Sequence, residues 1–255
     1  DSVGGSTVMG SSDDQYAISK VCKEHGLWHH IDGCWGGVMA FSENTNYLYK
    51  GSHLADSVAI NAHKALGAPN QCSYLLVNNR PNALIEANCS GATYLFQETP
   101  WAKYDLADKT LSCGRKADSL KLWMLLKKHG LDGIGKIADE AMEKAKYITK
   151  QIEAQPDKFE MINKPMATNV CFSYTPPAFR GKEYTFDQKS SVHQIIFERM
   201  IRDGTMMIQQ NPLEEFNLPN FFRLTLKNEK STLADMDYIL ENIDRLGQDL
   251  TPETV

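Results

Sequence analysis

No apolar run in these 255 residues approaches the roughly 18 that a membrane-crossing helix needs. The opening Asp1-Ser2-Val3-Gly4-Gly5 lacks the basic and apolar regions of a signal peptide. Basic residues are not in excess: 27 Lys and Arg stand against 32 Asp and Glu, a net charge of −5. Neither nucleic acid nor an anionic membrane surface is therefore an expected partner. The six cysteines (Cys22, Cys34, Cys72, Cys89, Cys113 and Cys171) form no CxxC pair and no tight metal-ligand spacing, and most sit beside apolar residues. They read as reduced structural thiols and the protein as cytoplasmic. An initiator methionine is lacking too, and the Gly/Ser-rich start runs straight into ordered-looking sequence, so the chain reads as a fragment or a processed product. Internal repeats and low-complexity tracts are absent. What is there is 42% apolar and 23% charged with a mean hydropathy of −0.40. That is a globular composition able to bury about 70–75% of its unfolded surface, which excludes disorder.

Helical and extended patterns alternate in the first half. Ser12-x-x-Gln15 offers a capping box before the helical spacing of Tyr16, Ile18, Val21 and Cys22, and Gly26 ends that helix. Residues 27–32, 57–61 and 72–77 read as strands. This alternation predicts an α/β layer with a mainly parallel sheet, whose strand ends are the default place for a ligand. Leu120, Trp123, Met124 and Leu126 predict a helix over 117–128 with Gly130 as terminator, and a second helix over 134–154 carries the chain toward another unit. Strands over 159–162, 169–174 and 221–226, with helices over 190–203 and 232–246, predict a smaller α+β domain. Thr232-x-x-Asp235 opens the last helix. The expected division is 1–150 and 151–255.

Three local features carry chemistry. His30-Ile31-Asp32 ends a strand before Gly33, so a carboxylate is presented at a strand terminus beside permissive backbone. Asn61-Ala62-His63-Lys64 follows another strand and places an amine at a comparable sheet end, where desolvation can make it nucleophilic. Tyr94, among Ser90, Gly91, Ala92 and Thr93, has the setting of a mobile loop. The lysine has a plainer reading as a solvated surface group and the tyrosine as a packed aromatic.

Taken together and in this order, the segments resemble the group II pyridoxal-phosphate decarboxylases, in particular their acidic amino acid branch (glutamate, cysteine sulfinate and aspartate decarboxylases). The matching stretches are Gly5-Ser6-Thr7-Val8, residues 30–37, Ala55-Asp56-Ser57-Val58 through Lys64, Gln71-Cys72-Ser73, Tyr94-Leu95-Phe96-Gln97, Cys113-Gly114-Arg115, Asn169-Val170-Cys171-Phe172 and Asn220-Phe221-Phe222-Arg223. The resemblance implies the C-terminal part of a fold-type I (aspartate aminotransferase-like) large domain plus the small C-terminal domain. It implies that Lys64 carries pyridoxal 5′-phosphate (PLP) covalently, that Asp32 faces the pyridine nitrogen, and that Tyr94 returns a proton to the α-carbon. Thr7 and Cys34 adjoin the cofactor. Ser57, Asn61 and His63 resemble phosphate contacts, and Gly114 resembles one made from the neighbouring subunit of a homodimer. Arg223 resembles the arginine that grips a substrate carboxylate, with a structural ion pair as the plainer reading.

Departures accompany the likeness. The family polypeptide is roughly twice this length, and the portion not matched includes the first half of the cofactor domain and the aromatic residue that stacks on the ring. The retained sheet is then expected to expose apolar edges and faces, to be covered by another chain such as a separate N-terminal polypeptide. Ile60-Asn61-Ala62-His63-Lys64 replaces the usual Trp-Asn-Pro-His-Lys, Asp32-Gly33-Cys34 replaces Asp-Ala-Ala, and Gln209-Gln210-Asn211-Pro212 stands where a tyrosine is common. Two readings follow: a decarboxylase of an acidic amino acid that works with its N-terminal portion, or an inactive relative kept as a structural or binding protein. Lys50-Gly51-Ser52, residues 55–59 and Ser119-Leu120-Lys121-Leu122-Trp123 lean toward the cysteine sulfinate and aspartate side.

Overall fold

Three short strands line up in one direction before the chain turns back on itself. In the computed structural model, which describes every residue except Asn79, Pro81, Glu98 and Cys113, these are β1 (Ser2–Val3), β2 (His30–Asp32) and β3 (Ser57–Asn61). β1 pairs in parallel with β2, and β2 with β3; β4 (Ser73–Val77) closes the sheet antiparallel to β3. The sheet is thus mixed but mostly parallel. β1 escapes a reading by composition, because two residues in a Gly/Ser-rich stretch carry no periodicity and are recruited by pairing alone.

Helix α1 (Gln15–Glu24) packs beside this sheet, and its start corrects the expected capping box. Asp14, not Ser12, is the cap and accepts from the Ala17 N–H at 2.9 Å. Gln15 is instead drawn into a buried chain of polar groups. Ser2 donates to Gln15 Oε1 (2.5 Å), so His29 Nε2–H donates to Ser2 (2.7 Å), and His29 Nδ1 accepts from Ser19 (2.8 Å). That assignment requires a neutral imidazole, in keeping with burial, which pulls the His29 pKa down.

Helix α2 (Ala83–Asn88) is short, and α3 (Asp118–Glu153) is long but broken at Gly130, whose φ of 65° and ψ of 178° leave the helical region. The terminator and the second predicted helix therefore meet end to end. β5 (Phe159–Met161), β6 (Asn169–Tyr174), α4 (Phe186–Asp203), β7 (Gln209–Leu213), β8 (Leu218–Thr225) and α5 (Leu233–Gly247) complete the chain. The second sheet runs β5-β6-β8-β7, antiparallel throughout. α4 begins four residues before the predicted start because Thr185 and Gln188 form a reciprocal capping box; Thr232 and Asp235 do the same for α5, as expected.

Each sheet has its own core. Ile31, Met39, Leu48, Ile60, Leu66, Ile134 and Ala138 fill the first; Ile148, Ile152, Phe172, Tyr174, Ile196, Met200, Phe222 and Ile243 fill the second. α3 belongs to both, its buried stripe passing from Ile134 and Ala138 to Ile148 and Ile152. Large apolar side chains also face outward: Leu75 and Leu76 on β4, as expected of the retained strands, and Leu120, Trp123, Met124 and Leu131 on α3, which the sequence reading did not anticipate. Among the described residues, no helix is long and apolar enough to cross a membrane, and the cysteines other than Cys113 are free. Cys113 lies outside the described residues.

Candidate active site

Because β1, β2 and β3 are parallel, the residues that follow them emerge along one edge of the sheet, where ligands of open α/β sheets gather. Thr7 lies beyond the end of β1, Asp32 ends β2, and Lys64 follows β3 after a tight turn closed by Lys64 N–H to Asn61 O at 3.0 Å. The backbone locks the three together. Gly4 N–H donates to Asp32 O (2.8 Å), Gly36 N–H to Gly4 O (3.1 Å) and Gly33 N–H to Ala59 O (2.9 Å). Gly36 is required here, since a Cβ would stand 2.4 Å from the Gly4 carbonyl oxygen. Tyr49, buried under this crossing, donates its hydroxyl to Gly4 O at 2.7 Å. Burial, reinforced by the Asp32 charge, raises its pKa and keeps it a neutral donor.

Asp32 is held as an anion. Partial burial opposes ionisation, but the Cys34 N–H donates to Oδ1 (2.9 Å), and the Cys34 thiol and the Lys64 charge act in the same sense, so the carboxyl sits below its ordinary value. The effect is mutual: burial and the adjacent carboxylate push the Cys34 thiol up to about 11, against the pull of Lys64. Lys64 is half-buried where it follows β3, at the same edge of the sheet as Asp32, and its charge acts on both Asp32 and Cys34. His63 is tied through Nδ1 to the Cys72 backbone (2.8 Å to its oxygen), which fixes the ring beside Asn61.

The small-domain sheet reaches the same edge. Arg223 on β8 donates from Nη1 to the Thr7 carbonyl at 2.9 Å. The fold therefore sets Thr7, Asp32, Cys34 and Lys64 along one sheet edge, with Arg223 tied to it through Thr7 and with Asn61 and His63 on the turn leading to the lysine.

Three predicted residues are not gathered with them. Ser57 is a correction: it begins β3 whereas Lys64 follows its end, so four residues of strand, about 13 Å, separate Ser57 from Asn61. Its hydroxyl is engaged by Trp28 Nε1 and His30 Nδ1, both at 2.8 Å. Tyr94 is 78% exposed on a turn where Leu95 N–H and Phe96 N–H return to Ala92 O. Gly114 is exposed, and a Cβ placed on it meets nothing within 4 Å. A cavity of about 670 Å³ opens behind the turn that follows Lys64, lined by Leu66, Pro69, Met124, Leu125 and Ile137, and includes neither Asp32 nor Lys64. The sequence reading missed the side chains that hold the 7–10 loop, Asn163 and Asn169; the stretch containing Asn169 stood out as a strand and as one of the family-like segments, with no role given to the asparagine itself.

A parallel-sheet edge carrying a lysine opposite a carboxylate, completed by a small antiparallel domain, is the architecture of fold-type I PLP-dependent enzymes. The solved structures bear this out. Mouse CSAD in its apo form superposes with a TM-score of 0.89 at 38% identity, over 97% of this chain and 51% of that one. Catharanthus roseus tryptophan decarboxylase in complex with L-tryptophan shares the fold, with a TM-score of 0.79 at 20% identity, over 96% and 50%. The chain belongs to the pyridoxal-dependent decarboxylase family, whose conserved domain matches residues 2–175. Among curated relatives, human cysteine sulfinic acid decarboxylase is 41% identical over 96% of this chain and 50% of its own length. Acidic amino acid decarboxylase GADL1 of Xenopus tropicalis is 38% identical, over 96% and 48%. The chain thus spans about half the length of the curated relatives it matches.

The residues present fit the family's cofactor. An anion stabilised by a backbone N–H stands with a half-buried primary amine at one sheet edge, which is the donor set that a pyridinium and an aldehyde require.

Proposed function

We propose that this chain is the C-terminal, lysine-bearing part of a PLP-dependent decarboxylase that converts a small acidic L-amino acid (cysteine sulfinate, aspartate or glutamate) to its amine and CO2. It works with the N-terminal half of the fold, which adds the remainder of the cofactor domain, in a cytoplasmic homodimer with shared sites. Residues 1–150 serve the cofactor, and residues 151–255 form the small domain. One observation carries the reading: Asp32 ends β2 and Lys64 follows the neighbouring parallel strand β3 at the same edge of the sheet, where Arg223 is anchored on Thr7.

Bound PLP supplies an electron-accepting pyridinium ring that takes up the electron pair left when CO2 departs. The chain's own groups do the rest. Lys64 would hold the aldehyde through its amine. Asp32, kept ionised by the Cys34 N–H, holds a proton on the ring nitrogen; a unit charge pair at about 4 Å is worth about 4 kcal/mol at an effective dielectric of 20. Asn61 and His63 would hold the phosphate, and Thr7 and Cys34 would border the ring. Arg223 takes a carboxylate or sulfinate oxygen pair, which selects an acidic substrate. Tyr94, on its exposed turn, delivers the proton to the α-carbon once the loop covers the edge, and covering excludes water. Gly114 approaches the site of the neighbouring subunit. The outward-facing Leu75, Leu120 and Trp123 are surfaces for the other half of the fold or the second subunit.

The test is borohydride reduction of the PLP-treated protein followed by peptide mass spectrometry, with an amine-product assay over the three acids. A pyridoxyl group on Lys64, absent in Lys64→Ala, together with formation of the matching amine, is the expected result. A protein that takes up no cofactor sinks the reading and leaves a binding or structural relative.

A further inference from the structure

The loop over residues 7–10 closes on itself through Gly10 N–H to Ser6 O (3.0 Å), and its carbonyls are held by side chains from β6 and from the connection between β5 and β6. Asn169, fully buried at the start of β6, donates both amide hydrogens, to Thr7 O and to Val8 O, each at 3.0 Å. Asn163 donates to Met9 O at 2.9 Å and, through Oδ1, accepts the Cys171 N–H at 2.9 Å. The Cys171 thiol, kept protonated by burial, reaches Val8 O at 3.4 Å. Three successive carbonyls are therefore fixed from across the molecule. The fit is close: Gly10 has a φ of +67°, and a Cβ there would lie 2.9 Å from the Asn169 Cβ.

The Thr7 carbonyl has two lone pairs, and both are used, one by Asn169 and one by Arg223 Nη1 at 2.9 Å. Cross-strand register puts Cys171 opposite Arg223 and Asn169 opposite Thr225, so all four side chains stand on the sheet face turned away from the helical core. Arg223 Nε is buried and, among the described residues, has no hydrogen-bond partner. Anchoring through Nη1 leaves the Nε–Nη2 edge of the guanidinium, the side-on fork that matches two oxygens of one carboxylate. A buried N–H of this kind is costly until an acceptor meets it, which favours an anionic ligand over a neutral one.

We propose that Asn169 is a positioning residue for substrate recognition: by clamping the Thr7 and Val8 carbonyls it sets the anchor on which Arg223 rests, and so presents the Nε–Nη2 edge to the acidic group of the substrate. This rests on the decarboxylase reading above and adds a residue to it. Asn169 touches neither substrate nor cofactor; it acts through Thr7 and Arg223.

The test uses Asn169→Asp, which keeps the volume but sets carboxylate oxygens against two carbonyls, and Asn169→Ser as a milder variant, each in the PLP-loaded holoenzyme containing this chain. The expected result for Asn169→Asp is a KM for the acidic substrate raised roughly tenfold or more with kcat within about threefold, and a smaller rise for Asn169→Ser. Amide hydrogen exchange over residues 6–11 should accelerate in both, while the yield of reduced pyridoxyl-Lys64 stays at the level of the unmodified protein. Because Asn169 works through Arg223, adding Asn169→Asp to Arg223→Lys should leave the KM of that single variant nearly unchanged. An unchanged KM in folded Asn169→Asp, or a full additional rise on the Arg223→Lys background, overturns the proposal. If neither Asn169 variant folds, the residue holds the fold rather than the substrate site, and the proposal is equally overturned. An unmodified protein without a Lys64 adduct is a different outcome, since it removes the decarboxylase reading itself.

Discussion

His193 should make the small domain measurably acid-sensitive, starting at a pH well above the range where most carboxylates titrate. The ring is completely buried against Phe222, with centroids 4.8 Å apart. Its Nδ1–H donates to Lys189 O at 2.7 Å, and Nε2 accepts the Tyr174 N–H at 3.1 Å. A second proton on the imidazole would set one N–H against another in a dry site. Burial is the main cause, and the pKa falls from 6.5 to about 4. Each pH unit is worth about 1.4 kcal/mol, so the full penalty is about 3 kcal/mol. The sign follows from proton counting. Between pH 6.5 and 4 the unfolded chain takes up a proton that the folded chain refuses, so stability falls as pH falls and levels off below about 4. Between pH 7 and 4.5 the loss from this one group is roughly 2 kcal/mol. His193→Gln keeps an acceptor for the Tyr174 N–H but cannot titrate. Urea unfolding followed by circular dichroism at several pH values should find the variant less stable at pH 7 by about 1–3 kcal/mol. The gap should then narrow by roughly 2 kcal/mol at pH 4.5. Carboxylates with depressed pKa, such as Asp244, titrate alike in both proteins and cancel. Stability curves that stay parallel across this range would refute the reasoning.

Other expectations are shorter. Asp32→Asn removes the anion but not the shape, and should lower turnover at least a hundredfold, about 3 kcal/mol, with the Lys64 adduct still detectable by mass spectrometry. Gly36→Ala sets a Cβ 2.4 Å from a backbone oxygen at the crossing of β1 and β2, and should cost about 1–3 kcal/mol in denaturant unfolding while weakening cofactor uptake. Thr232→Ala removes the hydroxyl that accepts the Asp235 N–H, leaving the Thr232 N–H bond to the Asp235 carboxylate, and should cost about 1 kcal/mol in the same assay with no effect on the Lys64 adduct.

Much of the candidate site was legible before any fold was known, because its chemistry is local. Asp32 before Gly33 and Lys64 after a strand are each carried by a few neighbouring residues, and parallel pairing of β2 with β3 then puts them at the same edge of the sheet. Ser57 was misjudged for the converse reason: nearness in sequence to Lys64 is not nearness in space when a strand runs between them. β7 was not visible at all, since Gln209-Gln210-Asn211-Pro212 has little strand propensity and becomes a strand only through its ladder with β8. The Asp14 cap likewise displaced the predicted Ser12 box once Gln15 found buried partners in Ser2 and Val3.

Short-range physics, then, was written in the chain itself: the Thr232 box, the break at Gly130, the apolar strand over Asn169–Tyr174, and the residue types for binding an aldehyde and an anion. Tertiary structure alone decided that Arg223 meets Thr7 across 216 positions, and that Asn169 shares the same carbonyl. A hydrogen bond between residues so far apart leaves no trace in local periodicity or propensity. It exists because two independently cored sheets dock along one loop, and that docking is a property of the packed molecule.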